Sequence, residues 1–407
     1  MGSNLIQNSV DKFFIKLYVR RRKAGALMRE GVVFEITKDH LHKGLRDIPV
    51  GYSSTSYVDP YKGVFYLGRS FFELVLKDPL EVIYLLFHGR EGSAAEVRVF
   101  AQEIENNLCS QEFLSEMRKL TKKTDPLSGF SMALQLLGCM ERKKDLKEDC
   151  WNIIAKLPQI AATVIQLYEN GEIPSSCAGE KGYVQNFIEM LPFSLVQKET
   201  FSALFSLLQI LFYDDEGGAI ETFVGRVVSS ASVDIYRSLS AALIAFSGDL
   251  VSFASVKSLE LLQEIEEVTQ GIGLDEEIEK ILQEKLEKKE LLFGFGHPSL
   301  RVEDSRATLL YNFARNHYPG HPLIKMALRM RYLAPKVLSH SYPRISNPFA
   351  NVHAISGALL YAAGLTKTQY YPLLFALARS VGVVAQIFHE KKCKASLVHP
   401  HYFYRLR

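Results

Sequence analysis

Helical periodicity dominates the sequence, which predicts a mostly α-helical protein with one large helical core and a smaller helical lobe. The charged stretch 260–290 carries a narrow apolar stripe at the spacing i, i+3, i+4 and i+8, made of Ile278, Ile281, Leu282 and Leu286. The segments 201–212 and 237–248 are apolar on nearly every side, so we expect helices that are buried between other helices. Strand-like sequence is limited to a short hairpin within 58–68.

Local signals define where several of these elements begin and end. Turn-forming residues at 59–63 close the hairpin, and a helix is expected from Ser70. Gly248 is a plausible stop signal for the helix that precedes it. Pro372 opens another buried helix, at the position where a proline costs a helix nothing.

The composition excludes several classes of protein. The chain has 407 residues, of which 47% are hydrophobic and 23% are charged, so it can bury a large core and is not a disordered protein. A formal net charge of +3 is too balanced to indicate a nucleic acid or an anionic membrane as a partner. The best candidate for a membrane helix, around 372–388, carries Arg379 in its middle, so no membrane span is predicted.

The five cysteines form no CxxC pair and no regular framework; they are Cys109, Cys139, Cys150, Cys177 and Cys393. Their scatter and odd number favour a reducing compartment with free, mostly buried thiols. The sequence shows no signal peptide, so we expect a soluble intracellular protein, cytoplasmic or, as the alternative, in the mitochondrial matrix. A basic run at 20–23 is interpreted as a solvated helix face.

A glycine-rich segment, GFGHPSLRVEDSRA, begins at Gly294. Gly294 and Gly296 permit close approach of the backbone to a ligand, and Arg301 and Arg306 behind them suit an anion. The third glycine and the preceding strand of a dinucleotide-binding fingerprint are missing. From the residues alone, His297 is as often a surface residue as a ligand or an acid.

The other candidates are titratable groups at the ends of apolar segments or within them. YDDEGG at 213–218 ends a buried helix, and its acids indicate acid/base chemistry, metal binding or simply a solvated helix end. Arg379 lies in an apolar helix, so it needs a carboxylate or an anionic ligand as its partner. His353, His399 and His401 are lone candidates, and no spacing typical of a metal site stands out.

Taken in order, these segments resemble the citrate synthase family. The glycine-rich segment is similar to the family signature GFGHxxxRxxDPRA. Further family blocks match in the same order: the hairpin VDPYKGVFYLGRS, EDCWNIIAKLP, the DDEGG turn, SVDIYRSLSAALIAFSGDL, NPFANVHAISGALL and LFALARSVGVVAQI. The resemblance covers essentially the whole chain, and the double glycine after the acidic turn is closer to the eukaryotic-type branch.

The resemblance implies an all-α homodimer with two domains in each chain. A large helical domain, 1–253 and 364–407, would be interrupted by a small domain, 254–363, that closes over the active-site cleft. Family members join acetyl-CoA to oxaloacetate in a Claisen-type condensation and then hydrolyse the thioester, with no metal ion. The ligands implied for this chain are CoA or an acyl-CoA together with a small oxo acid.

Several functional residues of the family have matches here. The resemblance makes His297 the histidine that polarises the carbonyl of the oxo acid. It makes Arg306 and Arg379 ligands of the substrate carboxylates, and it places Arg301 and Arg46 where the family has its CoA-phosphate arginines. The two glycines of the loop belong to the same implied CoA site.

Five other functional positions depart from the family, and one of them is Asp125, which stands where the HPM motif of the family has a histidine. Asp215 stands where the family has a substrate-binding histidine, and Val251 replaces a catalytic histidine. The catalytic aspartate of the family is His353 here. The arginine that a partner subunit supplies in the family corresponds to His399.

Because of these departures, ordinary citrate synthesis is only the third of three interpretations of the function. In the first, the chain is a pseudoenzyme that keeps the dimer and CoA or acyl-CoA binding, with a regulatory or scaffolding role toward a protein partner. In the second, it is an acyltransferase of the citrate synthase type with an altered substrate. Asp215 and His353 would then serve a less anionic or cationic acceptor, and His297 would act as the acid.

Overall fold

The computed structural model describes residues 34–46, 48–121, 124–174, 182–193, 195, 197–270 and 273–402. The interpretations of Cys177 and of the basic run at 20–23 lie outside the described residues. The chain divides into two compact units, 1–52 and 53–407. The described part of the first unit contains a short 3₁₀-helix, Lys38–His42, and the exposed side chain of Arg46.

The second unit begins with a small antiparallel sheet of β1 (Ser56–Asp59), β2 (Gly63–Tyr66) and β3 (Arg69–Ser70), in that order. Asp59 closes the turn because its carboxylate accepts hydrogen bonds from the backbone N–H groups of Tyr61 and Lys62, at 2.9 and 3.1 Å. The hairpin and the helix expected from Ser70 are both confirmed.

The rest of the described chain is helical. In chain order the helices are α1 (Phe71–Leu74), α2 (Pro79–His88), α3 (Ala94–Glu105), α4 (Gln111–Thr121), α5 (Pro126–Met140), α6 (Leu146–Glu169), α7 (Tyr183–Glu189), α8 (Lys198–Phe212), α9 (Ile220–Ser230), α10 (Ile235–Phe246), α11 (Ala254–Thr269), α12 (Asp275–Glu287), α13 (Ser305–His317), α14 (Pro322–Ser341), α15 (His353–Ala362) and α16 (Tyr371–Lys392). A second 3₁₀-helix, Thr368–Tyr370, precedes α16. The all-α class predicted from the sequence is confirmed.

The helices predicted from the apolar patterns occur close to their expected bounds. The segment 201–212 lies in α8, and 237–248 corresponds to α10, which begins two residues earlier because Asp234 caps it with a hydrogen bond from the Arg237 N–H at 3.0 Å. The charged helix is α12, whose buried residues are Ile278, Leu282 and Leu286. The cysteine prediction holds only in part: Cys109 and Cys150 are buried, but Cys139 and Cys393 are exposed free thiols.

Helix α16 runs through the centre of the core. Its residues from Tyr371 to Phe388 are all buried, and it packs against α6, α8, α9 and α10. Among the described residues, one segment, Thr368–Lys392, is long and apolar enough to cross a membrane, and its most apolar window is wholly buried inside the protein. This segment is a core helix of the fold that carries one arginine.

The helices within 254–363 pack on one another. Helix α11 contacts α15 and α14, α12 contacts α14, and α13 contacts α15. Gly357 permits the first of these contacts, since a Cβ at that position would lie 2.3 Å from the carbonyl oxygen of Ser255. The boundaries of the small domain, and its closure over a cleft, stay predictions.

Candidate active site

The acidic turn after α8 is fixed to the core by its first aspartate. The N–H of Asp214 donates to the hydroxyl of the buried Tyr66 at 2.8 Å, and that hydroxyl lies 2.9 Å from the carbonyl oxygen of Asp214. The Asp214 carboxylate accepts hydrogen bonds from Thr55 at 2.5 Å and from Gln386 at 2.8 Å. Asp214 is therefore an anchor, and it directs the next residue toward the arginines.

Gly382 allows the turn to lie directly against α16. A Cβ at this position would be 2.0 Å from the carbonyl oxygen of Tyr213 and 2.8 Å from Cα of Asp214. The N–H of Gly382 donates to that same carbonyl oxygen at 3.0 Å. The close approach brings Arg379, one turn earlier on α16, within reach of the acidic turn.

Asp215 lies between the two arginines that the family resemblance assigns to the substrate. Its Oδ2 atom is 3.3 Å from Nη1 of Arg306 and 3.4 Å from Nη2 of Arg379. Burial by itself would raise the pKa of Asp215, but the charges of the two arginines outweigh burial and hold this pKa well below its usual range. The Asp215 carboxylate is therefore ionised at physiological pH.

Each arginine also has a second carboxylate as a partner. Asp304 accepts from Nε and Nη2 of Arg306 at 3.0 and 2.8 Å, and Glu221 lies 2.9 Å from Nε of Arg379. Both arginines are almost completely buried, with 2% and 4% exposure. Within the described cluster, two guanidinium groups thus face three carboxylates, so their charge is already compensated by the chain itself.

The glycine-rich segment forms a loop that pairs with the segment before α15. Gly294 and Gly296 have φ of 90° and 88°, a region that favours glycine. A Cβ on Gly294 would lie 2.6 Å from Cα of Ala354, and the amide group of Asn351 donates to the carbonyl oxygen of Gly296 at 2.9 Å. These contacts fix the loop against the start of α15. They therefore bring together the two elements that carry His297 and His353.

His297 has a defined tautomer. Its Nδ1 accepts hydrogen bonds from the N–H groups of Ser299 and Leu300, both at 3.1 Å, so the proton resides on Nε2. Burial lowers the pKa of His297, and the nearby charge of Asp215 offsets this effect only in part. At physiological pH His297 is a neutral hydrogen-bond donor, as the predicted role of polarising a carbonyl requires.

His353 begins α15 in an apolar environment. Its ring centroid lies 5.6 Å from that of Phe212 and 5.9 Å from that of Phe375. Burial, with a further contribution from the charge of Arg306, lowers the pKa of His353 to about 4. Its Nδ1 is buried and has no hydrogen-bond partner among the described residues. His353 is therefore neutral at pH 7 but only a weak base.

Glu216 received no role of its own in the sequence analysis, yet it is the most unusual carboxylate of the site. Its backbone adopts a left-handed conformation with φ of 49°, and its N–H donates to Ser56 Oγ at 2.9 Å. The hydroxyl of Ser299 donates to Glu216 Oε1 at 3.2 Å. Burial, strengthened by the charge of Asp215, raises the pKa of Glu216 to about 7.

Two of the predicted site residues, Val251 and His399, have no contact with the cluster of Asp215 and its arginines among the contacts described above. Val251 lies half-buried in the turn after α10, where its N–H donates to the carbonyl oxygen of Gly248 at 2.9 Å. His399 is exposed in the segment after α16, next to Val398, whose N–H donates to Ser230 Oγ at 3.0 Å. The predicted loss of a donor at Val251 follows from its side chain, and the role predicted for His399 at a partner's site stays a prediction.

The two predicted CoA-phosphate arginines differ in their surroundings. Nη1 of Arg301 donates to the carbonyl oxygens of Pro298 and Leu300 at 2.9 and 2.8 Å, so this side chain supports its own loop. Arg46 is exposed in the first unit. Their roles toward CoA stay predictions. Among the described residues, no group of histidine, cysteine, aspartate and glutamate side chains has the arrangement of a metal site.

Comparison with known proteins shows which family the chain is related to. The family profile described as "Citrate synthase, C-terminal domain" matches residues 44–401. The chain belongs to the citrate synthase family. A relative from Arabidopsis thaliana named "Citrate synthase 4, mitochondrial" is 30% identical over 395 residues, which cover 90% of this chain and 81% of the relative. A "2-methylcitrate synthase, mitochondrial" from Yarrowia lipolytica is 28% identical, with coverage of 91% and 85%.

Solved citrate synthases share the fold. The ternary complex of carboxymethyl coenzyme A and oxaloacetate with the citrate synthase of the archaeon Thermoplasma acidophilum superposes with a TM-score of 0.76 at 21% identity, covering 90% of this chain and 96% of the other. The family predicted from the sequence is therefore confirmed. The cytoplasmic location predicted from the sequence gains no support, because both relatives above are named mitochondrial.

Proposed function

We propose that this member of the citrate synthase family has lost the condensation of acetyl-CoA with oxaloacetate and is a pseudoenzyme that retains binding of CoA or an acyl-CoA. The observation that carries the proposal is the position of Asp215. Its carboxylate forms ion pairs with Arg306 and Arg379, the two arginines that are expected to bind the substrate. The chain thus supplies its own anion to this pair.

Electrostatics opposes the entry of a dicarboxylate. A substrate carboxylate about 4 Å from the ionised Asp215 would meet repulsion of about 4 kcal/mol at an effective dielectric constant of 20. Asp304 and Glu221 contact the two arginines as well, which reduces the positive charge left to offset this repulsion. Oxaloacetate therefore meets an arginine pair that already has carboxylate partners, although Nη1 of each arginine has no hydrogen-bond partner among the described residues.

The acid and base groups of the condensation are weakened in the same chain. Val251 has no hydrogen-bond donor on its side chain, and the loss of one donor to a developing oxyanion costs about 10²–10³ in rate. His353, with its pKa of about 4, is a poor substitute for a carboxylate base. These losses support a block in the original reaction, independent of the block at Asp215.

CoA binding has separate support. The glycine loop keeps the left-handed conformations of Gly294 and Gly296, and Arg301 is ordered against that loop. The archaeal relative was solved with a CoA derivative bound. We propose that Arg301 and the loop contact CoA in a homodimer whose small domain, 254–363, closes over it. The names of the relatives make the mitochondrial matrix the compartment to test first.

A second candidate function is an acyl-CoA-dependent condensation with a less anionic acceptor. It is favoured by the neutral donor His297 and by the nearby Glu216, whose pKa of about 7 suits proton transfer. The relative named 2-methylcitrate synthase is consistent with different products among relatives. In this alternative the Asp215 carboxylate selects against oxaloacetate but does not abolish chemistry.

Thermal unfolding with ligands, combined with direct detection of citrate, tests the proposal. A ligand at 100 times its Kd stabilises the protein by about 2.7 kcal/mol, which is a clear shift in the unfolding midpoint. We expect CoA and acetyl-CoA to raise the midpoint, oxaloacetate to add nothing, and no citrate to form. Arg301→Ala should lose the CoA shift, whereas Arg98→Ala, on the exposed face of α3, should keep it. Citrate formation by the unmodified chain would overturn the proposal.

A further inference from the structure

Glu216 is a half-buried carboxylate that neither the ion-pair cluster nor the family resemblance uses. We propose that Glu216 is the proton acceptor of this site and works with His297 on the carbon next to the carbonyl of a bound acyl thioester. The inference rests on the second candidate function, in which the chain binds an acyl-CoA and is an enzyme rather than a pseudoenzyme. It does not depend on oxaloacetate, because removal of a proton from the thioester precedes any contact with an acceptor.

One residue connects the two groups. The N–H of Ser299 donates to Nδ1 of His297, and its hydroxyl donates to Oε1 of Glu216. Glu216 and His297 are thus held on either side of Ser299. A base and a neutral hydrogen-bond donor in such proximity are the two groups that proton removal next to a carbonyl requires.

The backbone around Glu216 fixes its direction. A glutamate with φ of 49° is uncommon, and the hydrogen bond from its N–H to Ser56 Oγ holds the residue in that conformation. The anchored Asp214 carboxylate, two residues before it, fixes the start of the turn. A carboxylate on a turn held at both ends has little freedom to leave the site.

The neighbouring titratable groups are poorer bases. Asp215 is paired with two arginines. Burial raises the pKa of Glu221 despite its contact with Arg379, but with 2% exposure this carboxylate is enclosed by the chain itself. Asp214 accepts three hydrogen bonds, from Thr55, Gln386 and the backbone N–H of Asp215.

His353, with a pKa of about 4, accepts a proton only weakly. Glu216 faces the negative charges of Asp214 and Asp215 on its own turn and the positive charge of Arg306 from α13. The increase in the pKa of Glu216 caused by burial and by the Asp215 charge is larger than the decrease caused by Arg306. Glu216 therefore exists in both protonation states near neutral pH.

The proposed step is a reversible proton transfer. The Glu216 carboxylate takes the proton as the C–H bond breaks, and the electron pair of that bond moves into a carbon–carbon double bond. The carbonyl oxygen takes up the negative charge and accepts a hydrogen bond from the Nε2–H of His297. In D₂O the carboxylic acid exchanges its proton with solvent, and return of a deuteron to carbon yields labelled thioester.

The test follows deuterium incorporation into the methyl group of acetyl-CoA in D₂O by NMR, using the full chain. We expect exchange above the buffer rate, with a rate that rises through pH 7 as Glu216 ionises. Glu216→Gln should reduce it by about 10²–10⁴ and remove the pH dependence. Glu216→Asp should retain part of the rate, and Glu103→Gln, an exposed glutamate on α3, should behave like the unmodified chain.

Three results bear on the proposal in different ways. Exchange that survives Glu216→Gln but disappears in His353→Ala would overturn it, because the base would then be His353. A thermal shift with acetyl-CoA but no exchange between pH 6 and 9 would also overturn it, while the proposed loss of citrate synthesis would stand. Production of citrate would overturn the proposed function alone, and exchange that is lost in Glu216→Gln would then still support Glu216 as the base.

Discussion

The Asp215 carboxylate lies 3.3 Å from Nη1 of Arg306, so an arginine assigned by resemblance to a substrate carboxylate is paired with a carboxylate of the chain itself. The same oxygen lies 3.4 Å from Arg379. The contact stabilises two buried cations, and under the proposed function it also fills the place of an anionic ligand. Stability and the proposed loss of dicarboxylate binding would then share one physical cause.

Asp215→Asn should separate these two effects. The amide keeps the shape of the side chain but removes the charge that is proposed to repel oxaloacetate. We expect oxaloacetate to bind more tightly by up to about a thousandfold, since repulsion of about 4 kcal/mol corresponds to about three factors of ten in Kd. Thermal unfolding with a series of oxaloacetate concentrations measures the gain. An unchanged response to oxaloacetate would show that Asp215 does not exclude it.

The same substitution should lower the free energy of unfolding at pH 7 by about 1–3 kcal/mol, because each arginine keeps one of its two carboxylate partners. The pKa of Asp215 is depressed, so its contribution is present above its unfolded pKa of about 3.9 and is lost as the pH falls through the lower folded pKa. The difference in the free energy of unfolding between the unmodified chain and Asp215→Asn should therefore be constant above pH 5 and become smaller below pH 4. Urea denaturation at a series of pH values measures it.

The need for an anion near Arg379 could be predicted from the sequence, but the identity of that anion could not. An arginine in an apolar helix must be paired, and the sequence analysis allowed for a carboxylate or a ligand. Asp215 takes this place because Tyr66 and Gly382 hold the acidic turn against α16. These contacts join residues that are far apart in sequence, so no local pattern reveals them.

Glu216 was missed for a related reason. Its sequence context, an acid before two glycines at the end of a buried helix, is typical of a solvated turn. Its unusual pKa follows from burial and from the charge of the adjacent Asp215, and the burial depends on tertiary packing that no local pattern shows. The helices, in contrast, could be predicted well, because apolar periodicity and caps such as Asp234 are local signals.

Glu216 should make the protein less stable as the pH rises. Its folded pKa of about 7 is above the unfolded value, so the folded state holds a proton that the unfolded state has already released between about pH 4.3 and 7. The Glu216→Gln substitution removes the carboxylate whose ionisation in the folded state lowers the stability at high pH. We expect the variant to match the unmodified protein near pH 4 and to be more stable by on the order of 1–3 kcal/mol at pH 8.

Urea denaturation of both proteins across this pH range is the measurement. Glu103→Gln on the exposed surface of α3 is the matched control and should show no such trend. A stability difference that is the same at pH 4 and pH 8 would mean that the carboxylate is not destabilised by its surroundings.

Gly382→Ala should disrupt the contact between α16 and the acidic turn. The added methyl group would lie 2.0 Å from a carbonyl oxygen of the backbone, which cannot move aside as a flexible side chain can. We expect a loss of about 2–4 kcal/mol in the free energy of unfolding. Gly248→Ala is the control, because its Cβ would lie 3.8 Å from the nearest atom. Equal stability of the two variants would contradict the tight packing at Gly382.

Restoring the family residues at three positions should recover part of the original reaction. Asp215→His removes the carboxylate between the arginines, Val251→His supplies a donor to the thioester oxygen, and His353→Asp supplies a carboxylate base. Groups that act as a unit contribute little one at a time, so each single variant should form no measurable citrate and the triple variant should form some. His399 stays unchanged, so we expect activity below that of an intact family member.

Citrate formation is measured by thiol release and by mass spectrometry. If the folded triple variant binds oxaloacetate and CoA but still forms no citrate, the block lies outside these three residues, and the proposed cause of the lost activity is wrong.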